Sequence, residues 1–580
     1  MSTSFVNAKE PPKKDKDEQE PREIKIRIGV FFDGTNNNRY QVMLGRLARE
    51  KDNTATKEEI AENNEILESM ELKKLSGIEQ WMLKKTKDKA QTKRAIFQHQ
   101  SRRWIGLPQG SMQSVGFSNV AILERFYKPT DQNDYTYKIY VTGPGTSDDL
   151  SKGISPAGQA TGQGAEGVVK KIWDAMDAIA LRTKTINSDK SITGVHYVFD
   201  VFGFSRGATE SRLFVDVCCS RGGRLSVFRK GIKKYNKIFS NNNSSSEDKI
   251  LFPKQKDIKF NVGVFDTVAS VGVIRNSQWV SSILATPVQG IDGLLSNTST
   301  YHDQNVKDLG LNTVAHDASV EKVVHICALD EYRENFGLCA LPDGGKVKQI
   351  FMPGTHSDIG GSTLPGYDEV SIPISLMKMP SLTNMIDDSI SHNYLLGSPE
   401  VNVARSISRM QKWFWIPRVA PLKQEVQMTI ENLKRLGWLK DATNTPADLQ
   451  CDIFKDNDLV ENVDVKRYSV ETYSNLPLAI MAEQHNTVFE ATQVKGKHAI
   501  PAKLPKSYGE MGSLWQSCSS NFGQCFFPEE ASYRDLRKRH LHFSASGGLI
   551  GSAVNGPHYN EQYRYERILY TESGQQSLKG

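Results

Sequence analysis

Residues 195–219 read VHYVFDVFGFSRGATESRLFVDVCC and combine a strand pattern, a turn and a helix pattern in immediate succession. Residues 195–202 are mostly β-branched and aromatic, which is typical of a buried strand, and residues 208–219 have apolar positions at helical spacing. Between them, GFSRG has the form G-x-S-x-G, in which two glycines allow a sharp turn to hold the hydroxyl of Ser205 out of the sheet. These glycines are Gly203 and Gly207. The stretch therefore predicts a nucleophile elbow, with an ordinary tight turn as the alternative for the pentapeptide alone.

Further strand patterns on both sides of this unit predict the fold class. They are IKIRIGVFF (24–32), YTYKIYV (135–141), DIKFNVGVF (257–265), KVVHICALD (322–330) and VKQIFM (347–352). Helical and polar segments separate these patterns, as expected for a sheet covered by helices. We therefore predict an α/β fold with a mostly parallel central sheet, flanking helices and large helical or loop insertions.

Composition divides the chain into three predicted regions. Residues 1–23 are polar, charged and proline-bearing, which indicates a disordered leader. Residues 24–395 form the predicted catalytic domain. Within it, residues 40–104 are rich in Lys, Glu, Gln and Asn and predict an exposed helical insertion, while residues 271–320 form a long connection with apolar segments. Residues 396–580 are predicted to be a helical and turn-rich region that packs on the catalytic domain or caps it.

Composition and cysteine use exclude several classes of protein. The 580 residues are 38% hydrophobic and 24% charged, which fits a soluble globular protein with a sizeable core. No apolar stretch approaches the roughly 18 residues of a membrane span, and the polar start lacks the apolar core of a signal peptide. We therefore expect synthesis in the cytoplasm and no export by the general route. The 7 scattered cysteines indicate reduced thiols, and a net charge of +6 is too mild to demonstrate a nucleic-acid or lipid partner.

A serine at such an elbow needs a base and an acid. Neutral histidine is the usual base near pH 7, and a buried carboxylate holds its tautomer. In α/β-hydrolases these groups follow in the order Ser, Asp or Glu, His, each after a strand. Asp266 directly follows FNVGVF and His356 follows VKQIFMPGT, so we predict a triad of Ser205, Asp266 and His356 in an α/β-hydrolase-like fold. The alternatives are a turn or helix-capping role for Asp266 and an inert loop position for His356.

Other titratable residues compete less well for these two roles. His325 and His196 lie inside apolar strand patterns and are predicted to be satisfied core histidines. Four histidines nearer the C-terminus lack a strand-end context, namely His485, His498, His540 and His542. Two histidines of the long connection could still reach the site, namely His302 and His316. Four acids also remain open, namely Asp303, Asp317, Asp330 and Asp358, of which Asp358 is expected to order the loop of the predicted base.

Two backbone N–H donors are needed to hold an oxyanion beside the serine. One is predicted to be the amide of Arg206, which directly follows that serine. The other is expected from the turn FFDGTNNN, residues 31–38, through amides near Gly34 and Thr35, with Asp33 bracing the turn. A plain surface turn is the alternative for this segment. The chemistry requires no cofactor and no metal ion, so we expect neither.

Five motifs occur in one order along the chain, namely VFFDGTNNN, VFGFSRGA, VGVFDTVAS, ALDEYRENF and MPGTHSDIGGS. Together they resemble an α/β-hydrolase family typified by the lipase effectors of the type VI secretion system, and most closely the first phospholipase family among those effectors. The resemblance spans roughly residues 24–375, with weaker similarity near the C-terminus. Carried over position by position, it implies Ser205 as nucleophile, Asp266 as acid and His356 as base, in agreement with the order of the strand ends.

The resemblance also implies a function and partners. It implies antibacterial esterase action on membrane phospholipids, chiefly as phospholipase A1 with some A2 activity, after delivery into the periplasm of a rival bacterium. It further implies docking on a VgrG-type secretion spike and neutralisation by a cognate immunity lipoprotein, and we expect no nucleic-acid partner. Residues 40–104 could be a loading surface, and residues 271–320 a lid or acyl-chain wall, although packing against the core explains most of their apolar residues. Two alternatives stay open: a carboxylesterase or peptidase acting on small soluble substrates, and a non-catalytic adaptor that binds a spike or membrane.

Overall fold

A computed structural model describes the centre of the predicted catalytic domain and parts of the C-terminal region. The described residues are 22–70, 72, 76–101, 116–147, 167–187, 191–219, 258–269, 310–342, 345–363, 366–373, 400–405, 460–469, 473–498, 540–542, 544, 566–571 and 574–579. Residues 1–21 of the predicted leader and residues 271–309 of the predicted connection lie outside these ranges, as do His302 and Asp303.

Six parallel strands form the central sheet. They are β1 (Arg22–Phe32), β2 (Tyr135–Val141), β3 (Ile192–Phe204), β4 (Ile258–Phe265), β5 (Val320–Ala328) and β7 (Val347–Met352). Their spatial order is β2-β1-β3-β4-β5-β7, and every neighbouring pair is parallel. This confirms the predicted α/β class with a mostly parallel sheet. β1 begins at Arg22, so residues 22 and 23, which were predicted to belong to the disordered leader, are part of this strand. The order also places β3, which leads into the predicted elbow, between β1 and β4.

Helices cover both faces of this sheet. They are α1 (Arg39–Lys51), α2 (Lys57–Ser69), α3 (Gly77–Lys85), α4 (Lys89–Ser101), α5 (Asn119–Phe126), α6 (Val168–Asn187), α7 (Arg206–Cys219), α8 (Thr313–His316), α9 (His356–Gly360), α10 (Asn475–Gln484) and α11 (Ala491–Lys497). On one face, Ile172 of α6 and Phe214 of α7 pack with Val201 and Val262 in the main hydrophobic core. On the other, Phe202 stacks on Phe31 at 5.3 Å between ring centroids. Side chains are buried on both faces of the strands, which explains their nearly continuous apolar sequence. In the described part of the chain, no helix combines the length and the apolarity needed to cross a membrane.

The predicted helical insertion is helical, but it is only partly exposed. α1, α2 and α4 enclose a small core of their own that includes Tyr40, Leu44, Ile66 and Phe97. α3 contributes little to this core, because its Trp81 is 62% exposed. The sparse apolar residues of this charged segment are therefore enough to build a helical subdomain beside the sheet.

Two smaller sheets connect the predicted catalytic and C-terminal regions across residue 395. Their strands are β6 (Leu338–Cys339), β8 (Gly366–Pro373), β9 (Glu400–Arg405), β10 (Val460–Ser469), β11 (Glu566–Thr571) and β12 (Gly574–Lys579). β10 pairs antiparallel with both β8 and β9. β11 pairs in parallel with β6 and antiparallel with β12. The region predicted to be helical and turn-rich thus also contributes strands, and one of them, β11, reaches the edge of the central sheet where the site lies.

Candidate active site

Ser205 occupies the turn between β3 and α7, where the sequence predicts it. Its φ angle of 59° lies in the left-handed region, which is uncommon for a residue with a side chain and marks a strained turn. The Ser205 N–H donates to the Phe265 carbonyl at 3.0 Å, and the Ser205 carbonyl accepts from the Val268 N–H at 3.3 Å. The strained conformation is therefore held by hydrogen bonds to the end of the neighbouring strand β4 and the loop after it.

The two glycines of the turn are required by close backbone contacts. A Cβ atom on Gly203 would lie 2.3 Å from the Gly207 carbonyl oxygen, and a Cβ atom on Gly207 would lie 2.3 Å from the carbonyl oxygens of Phe32 and Asp33. No side chain fits at these distances without a shift of the backbone. The close approach brings the start of α7 against the end of β1, next to the serine.

His356 and Asp266 form a hydrogen-bonded pair beside this turn. Asp266 directly follows β4, and His356 is the first residue of α9, after β7. His356 Nδ1 and Asp266 Oδ2 are 2.6 Å apart. Since the ionised carboxylate can only accept, Nδ1 carries the hydrogen and Nε2 is left as the acceptor of the neutral ring. The imidazole also contacts the ring of Phe204, which precedes Ser205, at 4.5 Å between centroids. The structure thus joins the predicted acid and base directly, and it places the ring of the predicted base against the residue that precedes the predicted nucleophile.

Asp266 is fully buried and receives three hydrogen bonds. Besides the bond from His356, its Oδ1 accepts from the Ala328 N–H at 2.8 Å, and its Oδ2 accepts from Arg567 Nη2 at 2.9 Å. Burial alone favours the neutral acid. The charge of Arg567 and the hydrogen bond from His356 outweigh burial and hold the pKa of Asp266 well below its usual range. Asp266 is therefore a carboxylate at any pH at which the protein would work.

His356 is 5% exposed and is held neutral by its surroundings. Burial lowers the pKa of His356 below its ordinary value of 6.5, although its bond to Asp266 acts in the opposite direction. Its backbone N–H donates to Glu331 Oε2 at 3.1 Å. Glu331 in turn accepts from Arg333 at 2.8 Å. A neutral imidazole with an unprotonated Nε2 can accept a proton at neutral pH, as a general base must.

The loop of His356 is tied down by two further carboxylates. Asp358 Oδ2 accepts from the Thr355 N–H at 2.9 Å and from the His542 N–H at 3.0 Å. Asp330 Oδ2 accepts from the Gly354 N–H at 2.7 Å. These bonds fix the backbone on both sides of the imidazole and connect it to the C-terminal segment at residue 542.

The turn after β1 lies on the side of Ser205 opposite Asp266, because β1 and β4 flank β3. One contact of this turn differs from the predicted oxyanion site. Asp33 is buried, and its Oδ1 accepts from the Gly34 N–H at 2.8 Å while its Oδ2 accepts from Tyr140 Oη at 2.5 Å. The Gly34 amide, predicted as an oxyanion donor, is therefore already engaged by the aspartate that was expected only to brace the turn. Thr35, the second predicted donor of this turn, follows Gly34 directly. Arg206 is the first residue of α7, and the first N–H groups of a helix have no partner within the helix.

The competing histidines fall into different environments. His325 is fully buried in β5, where its Nε2 accepts from the Thr267 N–H at 3.2 Å and its Nδ1 donates to Gln349 at 3.1 Å, as predicted for a satisfied core histidine. The same prediction is wrong for His196, whose side chain is 47% exposed and contacts Glu23 at 3.0 Å. His196 lies between the buried Val195 and Tyr197, so its side chain is on the opposite face of β3, which is open to solvent at this position. His316 ends the short helix α8.

Two residues beside the triad were missed by the sequence interpretation. Glu331 lies within ALDEYRENF, one of the five motifs that carry the family resemblance, so the motif itself could have indicated a residue near the site. Arg567 lies in RYERILYTE, where nothing in the local pattern distinguishes it from neighbouring arginines. Among the residues that the structure describes, no three His, Cys, Asp or Glu side chains are grouped as metal ligands.

Part of the chain is similar to a known protein family. Residues 106–388 match the family model of the catalytic domain of the Tle1-like phospholipase effectors of the type VI secretion system. The match contains the three positions predicted as a triad and four of the five motifs, and it confirms the resemblance that these motifs indicate. None of the curated protein sequences matches the chain significantly.

Two solved structures are similar along most of the chain. The structure of a Tle1 effector bound to the VgrG spike of the type VI secretion system covers 98% of this chain and 98% of that chain, with 19% identity and a TM-score of 0.47. The crystal structure of an uncharacterized protein from Pseudomonas aeruginosa covers 96% of this chain and 80% of that chain, with 13% identity and a TM-score of 0.30.

Proposed function

Because residues 106–388 match the catalytic-domain model of the Tle1-like phospholipase effectors of the type VI secretion system, we propose that the protein is a serine hydrolase that cleaves acyl esters of membrane phospholipids. The observation that carries this proposal is the arrangement around Ser205. Ser205 on its strained turn directly follows Phe204, whose ring contacts the neutral His356, and the Nδ1 of His356 is bonded to the buried, ionised Asp266. This combination supplies a nucleophile, a base and an orienting acid.

The proposed reaction has two half-reactions. His356 Nε2 takes the hydroxyl proton of Ser205 as Oγ bonds to the ester carbonyl carbon, and Asp266 stabilises the imidazolium. The imidazolium then gives its proton to the leaving alcohol oxygen, which releases a lysophospholipid and leaves an acyl-enzyme. Water hydrolyses the acyl-enzyme by the same route, with His356 again as base, and a fatty acid leaves.

The oxyanion of each tetrahedral intermediate needs backbone donors beside the nucleophile. We assign this role to the amides of Arg206 and Thr35. The Gly34 amide is replaced in this role because it donates to Asp33. Asp33 and Tyr140 then act on the turn itself, by fixing the backbone that presents the Thr35 amide.

Substrate position and partners follow from the family and belong to the proposal. We propose phospholipase A1 action, with A2 activity at lower rate, in the periplasm of a target bacterium after delivery by the type VI machine. A VgrG-type spike would carry the protein, and an immunity lipoprotein of the producing cell would block it. The site shown by the described residues needs no metal ion or cofactor for these steps.

The proposal is tested on phospholipid vesicles labelled separately at the sn-1 and sn-2 acyl chains. Wild-type protein should release mainly the sn-1 label, and Ser205→Ala should release neither. Ser211→Ala is a matched control, because Ser211 lies in the same helix and its hydroxyl donates only to the Gly207 carbonyl at 2.9 Å. Release that persists in Ser205→Ala would remove the serine mechanism. A protein that hydrolyses short soluble esters but gains nothing on vesicles would instead be a carboxylesterase.

A further inference from the structure

Arg567 enters the site from the far end of the chain. It lies in β11, is buried, and contacts Asp266 across a separation of 301 residues. Its guanidinium donates to Asp266 Oδ2 at 2.9 Å and to the carbonyl of Phe336 at 3.4 Å, and it also donates to the carbonyl of Ala328. One side chain therefore joins the acid of the proposed triad to the end of β5 and to the turn that precedes β6.

We propose that Arg567 is a positioning residue that orients the Asp266 carboxylate toward His356, so that the hydrolase site is complete only when the C-terminal strand β11 is docked. The inference rests on the proposed function and adds a residue to it. The family match ends at residue 388, so Arg567 lies well beyond the matched catalytic domain.

The geometry around the carboxylate supports this role. A carboxylate held by one donor can rotate about its Cβ–Cγ bond, whereas donors on both oxygens fix its plane. The Ala328 N–H fixes Oδ1 at 2.8 Å, and Arg567 fixes Oδ2 at 2.9 Å. The second hydrogen bond to Oδ2 comes from His356. Without Arg567, the one donor among these three that is left on Oδ2 is His356, the group that the carboxylate has to orient, so none of them fixes that oxygen independently of the imidazole.

The charge of Arg567 has a separate, measurable consequence. A cation beside the Asp266–His356 couple disfavours protonation of that couple, so its removal makes the couple bind a proton at higher pH. In the described part of the chain, the other charged or titratable groups that interact with the couple or with Arg567 are His325, Cys327, Glu331, Arg333 and Cys339. All of these remain in an Arg567 variant, so a change in the acid limb of the activity profile reports the lost cation.

Arg567→Gln tests the proposal against a matched buried ion pair. Arg27 is also buried and donates from Nε to Asp200 at 2.6 Å between strands β1 and β3 of the central sheet. Asp200 keeps two other donors, Tyr127 and Asn261, just as Asp266 keeps His356 and Ala328. Arg27→Gln therefore carries a comparable loss of stability without touching the site.

The readouts are the melting temperature and kcat as a function of pH on phospholipid vesicles. Arg567→Gln should lower kcat at neutral pH by about 100-fold and move the acid limb upward by about one pH unit. Arg27→Gln should lower the melting temperature similarly but keep the acid limb of the wild type. An acid limb of Arg567→Gln that coincides with that of Arg27→Gln would show that Arg567 is merely structural and overturn the proposal.

Arg567→Lys keeps the test decisive if the Gln variant does not fold. Lysine keeps the positive charge but lacks the planar guanidinium that donates to Asp266 and to the Ala328 carbonyl at the same time. We therefore expect kcat to fall by about 10-fold while the pH of the acid limb stays that of the wild type. Wild-type kcat in Arg567→Lys would contradict the positioning role. Ser205→Ala, measured alongside, separates failure of the proposed function from failure of this inference. Residual activity in Ser205→Ala would contradict the proposed function. An inactive Ser205→Ala together with a wild-type dependence of kcat on pH in the Arg567 variants would contradict only the positioning role of Arg567.

Discussion

Asp33 and Asp266 lie on the two sides of the proposed nucleophile. Each follows a strand that flanks β3, and both are buried to the same extent. Burial raises the pKa of Asp33 to about 6, because its hydrogen bonds come from neutral groups (Ser118, Tyr140 and the Gly34 amide) and, together with the charge of Arg39, lower the pKa by less than burial raises it. The pKa of Asp266 lies well below its usual range, because Arg567 and His356 supply positive charge and a strong hydrogen bond. Equal burial therefore produces opposite shifts, and the charge of the partner decides the sign.

The difference suggests a division of labour around Ser205. On the Asp266 side, a permanent carboxylate is needed because the imidazolium of His356 must be stabilised during the reaction. On the Asp33 side, the carboxyl group holds a turn of backbone, and this task can be performed by a neutral side chain. The same substitution made at Asp33 and at Asp266 can test whether the two carboxyl groups have these different roles.

Asparagine substitution should separate the two sides most strongly in activity. Asp266→Asn removes the negative charge that stabilises the His356 imidazolium and leaves one oxygen for the three donors that now share two, so kcat on vesicles should fall about 10,000-fold. Asp33→Asn keeps an amide oxygen that can accept from the Gly34 N–H, and kcat should fall no more than about 10-fold. Equal losses in the two variants would mean that both carboxylates act on the imidazole or that neither does.

A methyl group at the elbow should be the next largest effect, seen in stability. Gly207→Ala places a Cβ atom 2.3 Å from the carbonyl oxygens of Phe32 and Asp33, so the contact between α7 and the Asp33 side must open. We expect a loss of about 3 kcal/mol or more in the free energy of unfolding, measured in urea.

Gly496→Ala is the matched control for this substitution. Gly496 lies within α11, and a Cβ atom there has no neighbour within 4 Å. Alanine should stabilise that helix by about 0.5 to 1 kcal/mol. A similar small effect of Gly207→Ala would contradict the close packing at the elbow.

The pH dependence of stability should also differ between the two sides. The pKa of Asp33 is raised from 3.8 to about 6 on folding, so the folded protein binds this proton more tightly than the unfolded chain does. The resulting stabilisation is full below pH 3.8 and is lost as the pH rises through about 6, which corresponds to about 3 kcal/mol. Asparagine does not titrate. The unfolding free energy of Asp33→Asn relative to wild type should therefore increase by up to this amount between pH 4 and pH 7, and a constant difference would contradict the raised pKa.

The smallest effect is expected at Thr35. Its hydroxyl is buried without a hydrogen-bond partner in the described part of the chain. Thr35→Val keeps the shape and the backbone amide, so unfolding free energy should change by less than about 0.5 kcal/mol and kcat by less than about threefold. A much larger loss of kcat with unchanged stability would assign the oxyanion contact to the hydroxyl instead of the amide.

The parts of the site that the sequence predicts are those fixed by local structure. A β-branched run, two glycines and a helical pattern specify the elbow at Ser205, because strand, turn and helix are adjacent in the chain. Asp266 and His356 could be selected because parallel strands end at one edge of the sheet, so strand-end residues meet there. The strands and helices that carry the site, and their order along the chain, can therefore be predicted from the sequence.

What the sequence could not supply are contacts that depend on strand order and on distant segments. Arg567 meets Asp266 only because β11 pairs with β6 next to the site. The engagement of the Gly34 amide by Asp33 depends on side-chain orientation, which a turn motif leaves open. His196 is exposed although Val195 and Tyr197 on the other face of β3 are buried, and an apolar strand pattern does not reveal which positions of the second face are covered.

The most direct test of the central claim is the site and rate of covalent labelling by a fluorophosphonate, followed by peptide mass spectrometry. A serine activated by His356 and Asp266 attacks the phosphorus and displaces fluoride, so wild-type protein should carry one adduct on the peptide that contains Ser205. The adduct should be absent in Ser205→Ala, and its rate of formation should fall on the order of 100-fold or more in His356→Ala and Asp266→Asn. An adduct on another residue, or a labelling rate that does not depend on His356, would contradict the triad proposed for this protein.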